Sequence, residues 1–193
     1  DRALEAVITT LRSEPAYGLD TEFVAERSYR PKLCLIQIAW SGGLALIDPL
    51  ACDVSGLSEV LLGPGTMITH AGSGDLPIIE RACGARPTCL FDTQLSAGFI
   101  GMSQPSLASL VWALLRIRLD KGDQLSDWSR RPLSESVLDY AAGDVAHLFA
   151  LRDELIRQLE ANGRTEWAAT ECEILRASSS RYSDPDTTWW KIK

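Results

Sequence analysis

Two acidic residues lie one residue apart in a segment with the pattern of a β-strand. Asp20 and Glu22 fall within residues 17–24, where apolar, aromatic and β-branched residues predominate. Alternate residues of a strand face the same side, so both carboxylates point one way, about 7 Å apart. Two like charges in a largely apolar strand are unfavourable unless a positive group neutralises them. Oxygen ligands suit magnesium or manganese, so the pair predicts a divalent metal site. Solvated acids on an exposed strand face are the alternative.

Two more clusters could contribute to the same site. Tyr140 and Asp144 are four residues apart in a helical pattern, which places both side chains on one helix face. Asp75 follows residues 70–74 and stands at the start of another predicted helix. Each has a structural alternative: Asp75 stabilises the positive end of its helix dipole, and Tyr140 is a core tyrosine with a satisfied hydroxyl. Together, four carboxylates and a tyrosine in this order favour metal-dependent chemistry.

The hydrophobic pattern predicts an α/β fold that would position these residues. Segments 17–24, 33–40 and 44–47, joined by short connections, read as an antiparallel three-strand meander. Alternating helices and strands follow, which implies a mixed sheet with two further strands and helices on both faces. The further strands are predicted over 66–70 and 88–92, and the helices over 3–12, 54–62, 73–84, 93–100, 106–116, 134–161 and 164–177.

Length and composition exclude several classes of protein. The 193 residues suit one domain with a short appendage, and an apolar fraction of 46% excludes disorder and a collagen-like structure. A net charge of −7 argues against a protein that holds nucleic acid by bulk charge, but not against one that concentrates carboxylates around a metal. No run of 18 apolar residues is present, so no membrane span is expected.

The cysteines and the chain ends carry further expectations. Five cysteines without a C-x-x-C pair, and only two histidines, disfavour zinc and favour reduced thiols in the cytoplasm. The first residue is Asp1 rather than methionine, which suggests a processed or excised piece. Residues 178–193 are rich in Ser, Asp and Thr and end in Trp189-Trp190 beside lysines, which predicts a linker or a C-terminal strap.

Three stretches of the sequence resemble the exonuclease motifs of the ribonuclease D family. The first comprises DTEF at 20–23, LIQIA at 35–39 and LIDPL at 46–50; the second, HAGSGDL at 70–76 and FDTQLSAGFIG at 91–101; the third, LDKGDQLSDWSRRPLSESVLDYAAGDV at 119–145. They occur in the family's order and cover most of the chain, from about Tyr17 to Leu151. The resemblance implies a ribonuclease H-like fold and a place among the 3′→5′ exonucleases named for four acidic residues. Gly143 stands where the family often has a better helix former.

The resemblance also implies a role for each acidic residue. Asp20, Glu22 and Asp144 would ligate one divalent metal ion, with Asp20 bridging to a second, and Asp75 would hold the second ion through water. Two ions about 3.5–4 Å apart, magnesium or manganese, would clamp the entering and leaving oxygens of an in-line displacement. Tyr140, four residues before the last aspartate, indicates the branch in which a tyrosine orients or helps to deprotonate the attacking water.

Substrate contacts are implied less directly. The candidates to contact the 3′-terminal nucleotide, a base edge or phosphates are Thr21, Phe23, Gln37, His70, Lys121, Trp128 and Arg131. Structural alternatives remain open: core packing for Phe23, a buried hydrogen-bonded amide for Gln37 and a hydrogen-bonded strand-end side chain for His70. The loop 116–131 is either a phosphate-contacting lid or a solvated loop with Trp128 as a buried anchor.

The leading hypothesis is a metal-dependent 3′→5′ exoribonuclease that acts on the single-stranded 3′ end of RNA, such as a tRNA precursor, and releases 5′-nucleoside monophosphates. A DNA-directed exonuclease of the same branch, and a nucleic-acid-binding module that needs a partner domain for turnover, are the alternatives. On this hypothesis residues 1–177 are the exonuclease domain, and residues 178–193 lead to a second, helical domain that is absent from the chain.

Overall fold

Five strands form one mixed sheet in the order β3-β2-β1-β4-β5. The structure is a computed structural model that describes residues 2–25, 30–119 and 126–178. The strands are β1 (Ala16–Val24), β2 (Lys32–Trp40), β3 (Gly43–Ile47), β4 (Thr66–Thr69) and β5 (Cys89–Asp92). β1, β2 and β3 pair antiparallel, whereas β4 pairs parallel with both β1 and β5. The predicted meander plus two further strands is therefore confirmed.

Helices cover the sheet and extend beyond it. They are α1 (Arg2–Leu11), α2 (Ser58–Leu61), α3 (Asp75–Cys83), α4 (Thr93–Gly98), α5 (Leu107–Leu115), α6 (Glu135–Ala146), α7 (Leu148–Ala161) and α8 (Thr165–Ala177), with a 3₁₀ turn at Ser55–Leu57. Within the described ranges, every helix is too short or too polar to cross a lipid bilayer.

The two faces of the sheet carry different helices. On one face, Tyr17 and Leu19 of β1 and Ile36 of β2 pack into a buried cluster with α1, α2 and α3. On the other face, Leu35 of β2 packs with α6, and Ala16 of β1 belongs to a cluster formed with the start of α7. This alternation is the period of two that the strand patterns predicted, and it confirms helices on both faces.

The last long helical pattern is broken where the sequence predicted continuity. Residues 134–161 form two helices, α6 and α7, which meet at His147. His147 adopts φ −109° and ψ 0°, outside the α-helical region, so it ends α6 and precedes α7. Val145 and Leu148 on either side are both fully buried in one cluster. The apolar spacing continues across the junction and no glycine or proline marks it, so periodicity alone could not reveal the break.

Candidate metal centre and active site

Three carboxylates converge on the sheet face that α6 covers. Asp20 and Glu22 project from β1 and Asp144 from α6, and one ligand oxygen from each lies within 4.8 Å of the others. Ala141 and Val145 of α6 are fully buried against this face, which orients Asp144 towards β1. The predicted convergence of a strand pair with a helical aspartate is thus present in the described structure.

A β-bulge adjoins the acidic pair. Glu22 pairs with Leu35 but Phe23 pairs with Leu33, so Cys34 of β2 is the extra residue. Bulges bend a strand, increase its twist and often lie beside active sites, where they re-aim side chains. Here the extra residue lies on β2 and the shift falls immediately after Glu22, so β1 holds both carboxylates in regular alternation before the irregularity.

The fourth acid is held by the residue between the first two. Thr21 is buried, and its hydroxyl donates a hydrogen bond to the Asp75 carboxylate, which opens α3. Burial raises the pKa of Asp75 to about 6, although the Thr21 hydrogen bond acts in the opposite direction. The sequence predicted a contact of Thr21 with the substrate; its side-chain contact to Asp75 was missed because the two residues are 54 positions apart.

The crowding of these acids perturbs their ionisation. Burial, followed by repulsion from Asp75, Asp144 and Glu22, raises the pKa of Asp20 well above its ordinary value. Burial and the neighbouring acids likewise raise the pKa of Glu22 to about 8, and burial raises the pKa of Asp144 to about 7. Such a cluster stays fully ionised near neutral pH only if a positive charge compensates it.

The donor set fits a divalent metal ion. Hard cations such as magnesium and manganese are bound by carboxylate oxygens, and three of these lie close enough together to share one ion. The raised pKa values fit the same interpretation, because a bound ion would supply the positive charge that the buried acids lack. We conclude that Asp20, Glu22 and Asp144 fit a metal centre.

Tyr140 lies one helical turn before Asp144 and adjoins the acids. Its pKa is raised by burial and then by the charges of Asp144, Glu22 and Asp20, so its phenol stays protonated at neutral pH. The ring packs on Trp128 with centroids 6.2 Å apart and planes 41° apart. This arrangement leaves a neutral hydroxyl beside the carboxylates, and it can donate a hydrogen bond there.

A buried aspartate that the sequence did not single out organises the loop before Asp75. Asp92 is fully buried and accepts hydrogen bonds from four backbone N–H groups, those of Ala71, Gly72, Gln94 and Leu95, at 2.8–3.2 Å. It therefore caps α4 and fixes residues 71–72, close to the start of α3. An aspartate immediately before a predicted helix was the available signal, but it indicated only a helix cap.

His70 lies in a hydrogen-bond network of its own. Nδ1 is 2.9 Å from the Thr93 hydroxyl and Nε2 is 3.1 Å from the Pro105 carbonyl. Burial lowers the pKa of the imidazole. Both ring nitrogens are thus engaged by protein groups, which favours the structural alternative over a contact with substrate.

Gln37 lies directly opposite Asp20 in the antiparallel ladder. Its side chain is fully buried, and neither the amide nitrogen nor the amide oxygen has a hydrogen-bond partner among the described residues. This burial contradicts the predicted contact with a base edge, because no nucleotide can reach the amide as it is placed. The alternative, a hydrogen-bonded buried amide, is also not what the described part of the chain contains.

Arg131 and Trp128 tie the segment before α6 to the sheet. The Arg131 guanidinium donates to both Asp48 carboxylate oxygens at 2.6 and 2.7 Å and to three backbone carbonyls, including that of Cys34. Trp128 is only 3% exposed beneath Tyr140. The predicted phosphate contact of Arg131 is corrected to a structural role because its donors are already used, and Trp128 is the buried anchor of the alternative interpretation.

Two other predicted substrate contacts have different outcomes. Phe23 is half-buried and packs against the core cluster of β1 and β2, as its structural alternative predicted. Lys121 lies outside the described residues, as do residues 179–193 of the predicted linker or strap.

Comparison with known proteins gives the chain its family. A family model described as 3′-5′ exonuclease matches residues 1–160. A curated ribonuclease D from Zymomonas mobilis is 41% identical over 98% of this chain and 50% of its own length. The crystal structure of Escherichia coli RNase D, an exoribonuclease involved in structured RNA processing, superposes with a TM-score of 0.91 at 37% identity. It is matched over 100% of this chain and 54% of its own.

A second solved structure is similar over nearly the full length of both chains. Brucella melitensis NrnC with bound Mg²⁺ matches at 26% identity and a TM-score of 0.76, over 89% of this chain and 92% of its own. By contrast, the chain spans about half the length of the ribonuclease D relatives named above. From the family model, these relatives and the convergence of acids on the sheet, we conclude that the chain belongs to the 3′-5′ exonuclease family and is similar to ribonuclease D.

Proposed function

We propose that this chain is the catalytic part of a metal-dependent 3′→5′ exoribonuclease acting on the single-stranded 3′ end of RNA. The observation that carries the proposal is the meeting of Asp20, Glu22 and Asp144 within 4.8 Å, with Tyr140 beside them. The Escherichia coli relative, an exoribonuclease involved in structured RNA processing, supports RNA as the substrate. Processing of RNA 3′ ends, such as tRNA maturation, is the task that we propose.

Two divalent ions, magnesium or manganese, are the proposed cofactors. Asp20, Glu22 and Asp144 would hold one ion, Asp20 would reach the second, and Asp75 would act on the second through water. When bound, such ions supply positive charge to the transferring phosphate and lower the pKa of water. Support comes from the donor set and from the Mg²⁺ that is bound in the NrnC structure.

The chain's own residues would position the attacking water. The Tyr140 hydroxyl, protonated at neutral pH, donates a hydrogen bond that orients the attacking water. Hydrolysis joins the water oxygen to the phosphorus of the last phosphodiester and breaks its bond to the O3′ atom of the preceding nucleotide. The released nucleotide keeps its 5′-phosphate, and the shortened strand takes a proton on its new 3′-hydroxyl. The product is therefore a 5′-nucleoside monophosphate.

A DNA-directed exonuclease of the same branch is the second candidate, since the acids alone do not distinguish the two sugars. Discrimination needs a contact to the 2′-hydroxyl. Brucella melitensis NrnC has also been solved bound to pGG, which supports a short nucleotide chain as a ligand of this fold.

The cytoplasm, where the five free cysteines would stay reduced, and a second helical domain after residue 177 remain predictions.

The test is a time course on 3′-overhanging RNA and matched DNA, in manganese and in EDTA, with Asp144→Asn as the inactive variant. Asp139→Asn is the matched control because Asp139 is an exposed aspartate on the same helix. We expect a ladder that shortens from the 3′ end of RNA in manganese only, lost in Asp144→Asn and kept in Asp139→Asn. Equal ladders on DNA would assign a general exonuclease, and a fully active Asp144→Asn variant would refute the proposal.

A further inference from the structure

An exposed tryptophan flanked by two arginines forms a surface that the metal centre does not use. The Trp112 side chain on α5 is 43% exposed. The guanidinium carbon of Arg118 lies 5.0 Å from the centre of the Trp112 ring system, and that of Arg116 lies 5.9 Å from it. We call these three residues the Trp112 surface. Flat cationic and aromatic groups held together in this way are suited to stacking with nucleobases.

Among the described residues, the guanidinium groups of Arg116 and Arg118 have no ion-pair partner. Both residues are exposed. By contrast, Arg131 has its donors occupied by Asp48 and by backbone carbonyls. In a chain of net charge −7, these two guanidiniums form a local positive surface, and they offer the planar, forked donors that match phosphate.

A groove lies beside the end of α5. Arg116 ends α5 with φ 62°, the left-handed conformation that glycine adopts more readily and that commonly ends helices. Beside it, Ala108, Ser109, Trp112, Arg118 and Leu119 line a groove of about 350 Å³. That volume lies within the range of about 300–1,000 Å³ typical of small-ligand sites.

The Trp112 surface is connected to the catalytic face through α5. Leu107, the first residue of α5, packs in the cluster that contains Val145 and Leu148, and Val145 follows the metal ligand Asp144 directly. Trp112 lies five residues further along the helix, about 7.5 Å along its axis and about 140° around it. The Trp112 surface is therefore separate from the acids, as a site for a more distant part of a bound strand must be.

We propose that the Trp112 surface binds the RNA strand upstream of the nucleotide being removed. The indole and the guanidinium planes stack with bases while the guanidinium edges contact phosphates. This inference rests on the proposed function for its substrate. It adds a second binding region, which a dinucleotide would be too short to reach.

The test compares two lengths of substrate. Arg116→Glu/Arg118→Glu and Trp112→Ala are assayed on a dinucleotide and on an oligoadenylate of about 16 nucleotides. The control is Arg2→Glu/Arg12→Glu, which makes the same change in net charge at the first residue of α1 and just after its last, across the sheet from α7. Arg12 pairs with Glu59, but both side chains are largely exposed, so loss of this pair should cost little stability. For the long substrate at low salt we expect kcat/KM to fall about tenfold in the double charge reversal, whereas the control stays within about twofold.

Two further readouts separate the outcomes. The dependence of log kcat/KM on log salt should become shallower by about 1.4, since each lost phosphate contact on a single strand contributes about 0.7. Turnover of the dinucleotide should be unchanged. Equal losses of kcat/KM in the Trp112 surface variants and the control would overturn the proposal, because they would indicate an effect of bulk charge. Equal losses on the long and the short substrate would also overturn it, because they would indicate damage to the catalytic site.

A binding arm keeps this inference separate from the proposed function. Fluorescence anisotropy of the same oligoadenylate, labelled at its 5′ end, is measured in EDTA with no turnover. If the wild type binds RNA and the Trp112 surface variants bind about tenfold more weakly, the surface is an RNA site even if no cleavage is seen in manganese. Equal binding by wild type and both variants would refute it and would leave this surface free for a protein contact instead.

Discussion

A single hydroxyl links the two halves of the acidic site. Thr21 stands between Asp20 and Glu22 on β1, but its side chain points to the other face and donates to the buried Asp75. Burial raises the pKa of Asp75, and this hydrogen bond is the strongest influence in the opposite direction. One strand therefore carries the two proposed metal ligands, Asp20 and Glu22, and the residue between them supports the fourth acid.

Replacing Thr21 with valine should weaken metal use without disturbing the shape of the site. Valine matches threonine in size but cannot donate to Asp75, and loss of such a supporting hydrogen bond costs about 10–100-fold in metal affinity. We expect the manganese concentration for half-maximal activity to rise by about tenfold. Thr21→Ser keeps the hydroxyl and should stay close to wild type. The same metal dependence in the valine and serine variants would show that the bond is unimportant.

Tyr140 is expected to act through its hydroxyl alone. In Tyr140→Phe the ring can still pack on Trp128, so we expect kcat to fall about 100-fold while KM and melting temperature change little. Tyr17→Phe is the control, since Tyr17 also has a buried hydroxyl, without a hydrogen-bond partner in the described ranges, but lies on the opposite sheet face. Steady-state kinetics and thermal unfolding of both variants test this, and an unchanged kcat in Tyr140→Phe would be inconsistent with its proposed role.

At the scale of elements, the sequence predicted the helices and strands whose apolar residues recur at a regular spacing. The first predicted strand, 17–24, corresponds to Ala16–Val24, and the helix 164–177 corresponds to Thr165–Ala177. Turn-forming residues stand just before each element, Pro15 before β1 and Asn162-Gly163 before α8, and both elements carry clear apolar spacing. The break at His147 was missed because it comes from the packing of Val145 and Leu148 on one sheet face, which leaves no local signal.

The same distinction explains the site. The acids and Tyr140 were predictable because their spacing places them on defined faces of a strand and two helices. The roles of Arg131 and Gln37 were not, because their neighbours come from distant segments: Asp48 is 83 residues from Arg131, and Gln37 meets Asp20 only through strand pairing. Whether an arginine lacks an ion-pair partner among the described residues, as Arg116 and Arg118 do, or has its donors occupied, as Arg131 does, depends on such long-range contacts.

Gly143 within α6 offers a test of how much stability the catalytic helix gives up. No atom of the described residues beyond its own helix turn lies within 4 Å of the position that a Cβ atom would take there. Alanine should therefore fit and raise the free energy of unfolding by about 0.5–1 kcal/mol, because glycine is the poorer helix former. Thermal unfolding of Gly143→Ala tests this. Gly72→Ala is the contrasting variant, since its Cβ would lie 2.5 Å from Thr69 Cγ2, and it should be destabilised.

At the scale of the whole molecule, the acidic centre should couple stability to pH. Glu22 and Asp144 ionise near pH 4 in the unfolded chain but only near pH 8 and 7 in the folded, metal-free protein. Between these values the folded state keeps protons that the unfolded chain has released, so the free energy of unfolding falls as pH rises. His70 opposes this trend because its pKa is lowered, but it is one group against several acids.

Metal ions should reverse this loss because they take the place of the protons. In EDTA we expect the melting temperature to fall between about pH 5.5 and 8. Manganese at about 100 times its dissociation constant should add about 2.7 kcal/mol at pH 8. That corresponds to roughly 5–10 °C for a chain of this size. The shift should be smaller at about pH 5.5, where protons compete for the same carboxylates.

Asp144→Asn removes one of the titrating ligands, so it should flatten the pH dependence in EDTA and reduce the manganese shift, whereas Asp139→Asn should do neither. A manganese shift of equal size at both pH values in the wild type would mean that the ion binds elsewhere than at the acids of β1 and α6.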